Sequence, residues 1–92
     1  MDYSRLDDVT LLQLMAQDRT EALGELYDRY NRLVFSLALA IVGDDATADD
    51  ITLEVFTRVW QQSETYRAEK AKVTTWMTAI TRPWMARSSG RT

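Results

Sequence analysis

The sequence predicts an all-α protein, a compact bundle of about four helices: one short, one long and central, and two further. Three observations predict it. Glycine occurs three times and proline once in 92 residues, so turn chemistry is scarce and the elements must be few and long. No stretch alternates apolar and polar residues as half-buried strands do. From Thr20 to Val42 apolar residues recur three and four apart: Leu23, Leu26, Tyr27, Tyr30, Leu33, Val34, Leu37, Ala38 and Ile41.

Met1 to Leu6 is a short lead. Asp7 or Asp8 caps a first helix, roughly Val9 to Ala16, whose apolar content is Leu11, Leu12, Leu14 and Met15. Gln17 to Arg19 is a break, and Asp18 with Glu21 has the spacing of a capping box. The central helix follows, ~34 Å long at 1.5 Å per residue. Gly43 ends it, because glycine enters the left-handed region without a steric penalty. The third helix, Thr47 to Gln62, organises the rest. Thr47 is placed to cap it, with Asp50 as the acidic partner three residues on, and Asp49 and Asp50 suit the positive end of the helix dipole. At about 100° per residue, Ala48, Ile51, Val55 and Val59 form a core stripe. Leu53, Phe56 and Trp60 form a neighbouring stripe, with Leu53 nearest the polar side, and Asp50, Glu54, Thr57 and Gln61 line the wet face. Phe56 and Trp60 read first as further core.

A polar stretch from Ser63 to Lys70 reads as a loop. The fourth helix starts near Ala71 and sets Val73, Trp76, Met77, Ile80 and Trp84 on one face. Pro83 removes a backbone donor and clashes with the preceding turn, so the helix is expected to kink or stop near Arg82. Residues 83–92 read as an irregular tail, and 7–82 as the core of a single domain.

Composition excludes several classes. There is no cysteine for a disulfide framework or a thiolate metal site, and no histidine, the commonest general base and metal ligand. No glycine-rich phosphate loop occurs. Asp44, Asp45, Asp49 and Asp50 lack the spacing and the glycine of a calcium loop, and helix capping accounts for them better. The reading is therefore no enzyme, no cofactor and no metal. The apolar run Leu37 to Val42 is too short to span a bilayer, and Asp2, Arg5, Asp7 and Asp8 interrupt any signal-peptide pattern, so a cytoplasmic protein without a membrane partner is expected. Charge is segregated. Residues 1–50 hold four arginines against eleven acids, a net −7; residues 51–92 hold seven basic groups against three acids, a net +4. That split suggests two kinds of partner surface, with two ordinary solvated faces as the alternative; only the basic half suits phosphates.

One constellation carries binding chemistry. Tyr66, Arg67, Lys70, Lys72, Thr74, Thr75 and Trp76 interleave aromatic, basic and hydroxyl groups across a loop and the helix start after it. That mixture suits single-stranded nucleic acid, where aromatics stack on unpaired bases and cations meet phosphates. By spacing, Trp76 belongs to the core, and Tyr66 is the freer aromatic.

Four segments in order resemble region 2 of the sigma-70 family, in the compact extracytoplasmic-function (ECF) group of bacterial RNA polymerase sigma factors. They are DRTEALGELYDRYNRLVFSLALAIVGD at 18–44, ATADDITLEVFTRVW at 46–60, the pair Tyr66-Arg67, and VTTWMTAITR at 73–82. The resemblance implies an all-helical domain of the sigma region 2 type whose third helix docks on the clamp helices of the largest subunit of core RNA polymerase. Asp50, Leu53, Glu54 and Arg58 would lie on that surface; the family often has Gln at the place of Leu53. The segment from Tyr66 to Arg82 would recognise and help melt the promoter −10 element, holding the non-template single strand with bases flipped out. DNA contacts would come from Tyr66, Arg67, Lys70, Lys72, Thr75, Trp76 and Arg82. An anti-sigma factor is a further expected partner. Two departures stand out: PWMARSSGRT from Pro83 does not follow the family pattern, and the family's second DNA-binding domain, region 4, is not in the sequence.

A competing reading is a helical protein-interaction module that binds polymerase or an anti-sigma factor, or self-associates, and has lost promoter DNA. Effects of Arg67→Ala or Lys72→Ala on DNA binding alone would separate the two.

Overall fold

A computed structural model of the chain describes residues 2–89, with side chains as far as Arg82. Four α-helices follow a 3-10 turn at Tyr3–Arg5: α1 (Asp8–Met15), α2 (Thr20–Val42), α3 (Asp45–Gln61) and α4 (Val73–Ser89). A second 3-10 turn, Ser63–Thr65, lies between α3 and α4. No strand occurs among the described residues, so the all-α expectation holds.

Helix α2 is the hub. It packs against α1, α3, α4 and the N-terminal turn. It buries Ala22, Leu26, Val34 and Ala38, and Tyr27 meets Phe56 of α3 edge-on at 4.9 Å between ring centroids. Ala48, Ile51, Val55 and Val59 of α3 are buried as the stripe predicts, and Phe56 joins them in the core. Trp60 is half-buried and packs against the same cluster. Leu11, Leu12 and Met15 from α1 and Val73 and Met77 from α4 complete it. The α2 pattern predicts more burial than it obtains. Leu33 is 43% and Ile41 48% exposed, although Val34 and Ala38 beside them on α2 are buried.

The helix ends correct the sequence in three places. Asp44, rather than Thr47, caps α3: its carboxylate accepts the Thr47 N–H at 2.8 Å and the Thr47 hydroxyl at 2.6 Å. Thr47 is thus a donor inside the first turn. The bonds from Thr47 hold the Asp44 carboxyl below its ordinary value, so the cap is present above the ordinary carboxylate range and lost as acid protonates it. Second, Asp18 closes α1 instead of opening α2. It stands at φ +64°, while its N–H reaches the Met15 carbonyl and the Arg19 N–H reaches the Leu14 carbonyl, both at 3.0 Å. That bond pair is a Schellman motif with Asp in the place usually taken by Gly. Arg19 then precedes α2 with no side-chain cap bond. Third, α4 begins at Val73, two residues after Ala71, and its backbone runs through Pro83 to Ser89 instead of stopping near Arg82. Proline there forfeits the one bond its missing N–H would make, and the helix carries on past that loss. The expected irregular tail is therefore helical to Ser89; its remainder, 90–92, and the side chain of Trp84 lie outside the described residues. Gly43 ends α2 as read, at φ +71°, its N–H bonded to the Leu39 carbonyl at 2.8 Å.

The left-handed Asp18 gives a direct test. Asp18→Val should cost about 1–2 kcal/mol, since a β-branched side chain clashes in that region. Asp18→Gly should be tolerated. Thermal denaturation resolves the difference, at about 4–8 °C per kcal/mol for a domain of this size.

Candidate functional site

Two surfaces separate on the bundle. The first is the outer face of α3. Asp50, Leu53, Glu54 and Thr57 line one shallow cleft on it, and Arg58 is exposed one turn beyond Glu54. Leu53 is 58% exposed while Ile51, Val55, Phe56 and Val59 around it on the helix are buried. An apolar side chain is thus set among acids on a face the bundle leaves open. The four residues named from the sequence share this face, since positions three and four apart meet on a helix surface.

The second surface is built by residues 66–75, between the second 3-10 turn and the first turn of α4. Arg67, Lys70, Lys72 and Thr75 are exposed, as is Arg82 further along α4. The Arg67 guanidinium donates to the Glu64 carbonyl at 3.2 Å and to its neighbour Tyr66's at 3.3 Å, which folds the side chain back on the loop. Tyr66 is less free than its position in the sequence suggests. Its hydroxyl donates to the Ala71 carbonyl at 2.7 Å, its ring meets Trp76 edge-on at 5.3 Å, and both rings pack on the core. Burial raises the Tyr66 phenol above its ordinary value, and the charges of Asp8 and Glu69 push the same way. The pair stiffens the loop that carries the cations. Trp76 is half-buried, in keeping with its core spacing.

Two clefts flank this loop. One, of about 300 Å³, lies between it and α1, with Leu12, Gln13, Glu64 and Arg67 in its lining. The other, of about 440 Å³, joins the loop to the start of α1 and to α2, with Asp7, Asp8, Tyr30, Tyr66 and Lys72 among its lining residues. The sequence marks Asp7 or Asp8 as a helix cap and Tyr30 as part of the α2 stripe, and none of the three as a site residue. They lie far from Tyr66 along the chain and follow no periodicity that would connect them to it. Among the described residues, no three acidic side chains gather as a cation site.

The chain is thus an all-helical bundle with one apolar-acidic helix face and a separate aromatic-basic loop. The comparisons sharpen that class. Residues 26–88, about two thirds of the chain, match the family Sigma-70 region 2, and the chain belongs to that family. It is similar to the ECF RNA polymerase sigma factor BldN of Streptomyces coelicolor (strain ATCC BAA-471 / A3(2) / M145), at 29% identity over 83 residues. The match covers 87% of this chain and 31% of that protein, so the chain spans about a third of the relative's length. No solved structure matches. Among the described residues no helix is long and apolar enough to cross a membrane.

Proposed function

We propose that the chain is region 2 of an ECF-type sigma factor and serves transcription initiation through both surfaces. The α3 face docks on the clamp helices of the polymerase largest subunit through Asp50, Leu53, Glu54 and Arg58. The loop and α4 bind the non-template strand of the −10 element through Arg67, Lys70, Lys72, Thr75 and Arg82, on a platform stiffened by Tyr66 and Trp76. The observation that carries this reading is Leu53: a large apolar residue more than half exposed on a helix that buries Ile51, Val55, Phe56 and Val59. An apolar anchor ringed by charge fits a docking face better than a solvated one. The basic surface supports the second half, because exposed cations on a loop stiffened by Tyr66 and Trp76 suit the phosphates of an unpaired strand. The acidic half of the chain disfavours duplex DNA in general, so specific contact with an opened strand should dominate.

The test is calorimetry with a fragment of the clamp helices. The parent should bind, and a Leu53→Asp, Glu54→Lys variant should lose about 100-fold or more, the scale of anchor residues at interfaces. Both positions are exposed, so circular dichroism should show an unchanged fold. A folded parent that does not bind would sink the docking reading. Arg67→Ala and Lys72→Ala should weaken single-strand binding and flatten its salt dependence while clamp binding stays intact.

A further inference from the structure

The solvent side of the second half of α2 is apolar and uncharged. From Leu33 to Val42 the chain holds no charged residue. Leu33 and Ile41 are each nearly half exposed, Ser36 and Ala40 are exposed, and Leu37 among them is half-buried. Leu33, Leu37 and Ile41 stand four apart and form one ridge about 12 Å long. The core takes Val34 and Ala38 from this stretch, with Phe35, Leu39 and Val42 packed on it. The ridge is therefore apolar surface that the bundle does not use. Charge marks its two ends with opposite sign. Arg32 stands just before it, and Asp44 and Asp45 just after it. Asp44 is engaged as the cap of α3, whereas the side chains of Arg32 and Asp45 are exposed and unpaired.

A ridge with a cation at one end and acids at the other is complementary to itself turned end for end. We propose that this face of α2 is a self-association surface, covered by a second copy of the chain packed antiparallel about Leu37. Leu33 and Ile41 each lie four residues from Leu37, so a two-fold sets Leu33 of either copy against Ile41 of the other, as an isologous contact requires. The same two-fold brings Arg32 of each copy toward Asp45 of the other. Ser36 and Ala40 are small, which lets the two helices approach closely. A parallel pairing would instead set arginine beside arginine and acid beside acid, at a Coulomb cost. The contact uses none of the residues of the α3 face or of the loop before α4. One pair of crossing helices falls at the small end of specific interfaces, so the dimer is weak, with a Kd of about 10–100 µM.

Sedimentation equilibrium tests this, with the chain loaded from about 5 to about 500 µM to bracket the expected Kd. The parent should pass from monomer to dimer across that range. Leu33→Glu sets a carboxylate against Ile41 and near the acids of the other copy, and should weaken the dimer about tenfold or more. Leu53→Asp, on the outer face of α3, should leave it unchanged. Charge exchange gives the sharper result. Arg32→Glu and Asp45→Arg each create like-charge pairs in a homodimer and should weaken it about tenfold or more. Mixed in equal amounts, the two variants should recover a dimer, because the heterodimer pairs opposite charges at both ends. All of these positions are exposed, and circular dichroism should show the fold kept. A parent that stays monomeric throughout would overturn the assignment. So would a dimer that survives Leu33→Glu but is lost in Leu53→Asp, which would move the contact to α3. A mixture no more dimeric than its two components would overturn the antiparallel pairing.

Discussion

Leu26→Ala is expected to destabilise the protein by about 2–5 kcal/mol, the range for a fully buried leucine truncated in a packed core. Leu26 has no exposed surface and sits in α2, against which every other helix packs. It belongs to the core cluster to which all four helices contribute. Domains of this size have about 5–15 kcal/mol in total, so the variant gives up a large share of its stability. The control is another leucine: Leu53→Ala, on the exposed face of α3, should stay within about 0.5 kcal/mol. Urea denaturation followed by circular dichroism gives both numbers from one experiment. The midpoint of Leu26→Ala should fall well below that of the parent with the slope unchanged. Equal costs for the two leucines would mean that α2 is not the centre of the bundle.

Much of this architecture is legible in the sequence because helical periodicity is a local signal. The core stripe of α3 from Ala48 to Val59 and the termination of α2 at Gly43 follow from spacing and from the chemistry of one residue. The helix starts are harder to read. Asp44, Thr47 and Asp50 present overlapping capping patterns, and the choice among them depends on which carboxylate finds two donors at once. Asp44 finds both on Thr47. Asp18 looks like a start signal, yet its backbone serves as a stop. The excess exposure of Leu33 and Ile41 is a tertiary matter, since a sequence shows that a residue is apolar but not which side of its helix a neighbour covers. The candidate surfaces divide the same way. Leu53 is visible as the odd member of its helix face. Asp7, Asp8 and Tyr30 become neighbours of Tyr66 only through the crossing of α1, α2 and the loop before α4.

Arg29→Met should cost about 2–4 kcal/mol, and its loss should appear first at the N-terminus. The guanidinium spends all three nitrogens. Nε donates to Glu25 at 2.8 Å, Nη1 to Asp8 at 2.9 Å, and Nη2 to the carbonyls of Tyr3, Ser4 and Leu6 at 3.2, 3.2 and 2.6 Å. The side chain is 22% exposed and its two carboxylate partners about equally so. Burial works against its charge, but the bonds from Glu25 and Asp8 outweigh that and raise its pKa. Methionine keeps the apolar stem and removes the fork. The Ser4 and Leu6 carbonyls then lose this donor, the Tyr3 carbonyl keeps only the Leu6 N–H, and Asp8 and Glu25 lose their counter-charge in a half-buried site. Hydrogen bonds to charged groups contribute about 1.5–3 kcal/mol each when buried, and partial exposure discounts the sum. Arg29→Lys should recover only part of the loss, because one ammonium cannot reach two carboxylates and three carbonyls together. Amide hydrogen exchange should show residues 3–10 losing protection while Val55 and Val59 keep theirs. The phenol of Tyr30 supplies a second readout. Burial, and then its bond to Asp8, push it up to about 12, while the Arg29 charge pulls the other way. Because the folded state holds that proton more tightly, this contribution is complete below the ordinary tyrosine value of about 10 and is lost as pH rises through about 12. Removing the cation should move the Tyr30 titration higher still, seen as tyrosinate absorbance against a Tyr30→Phe reference. A titration that moves down, or N-terminal exchange that stays slow, would show that Arg29 does not hold the start of the chain to α2.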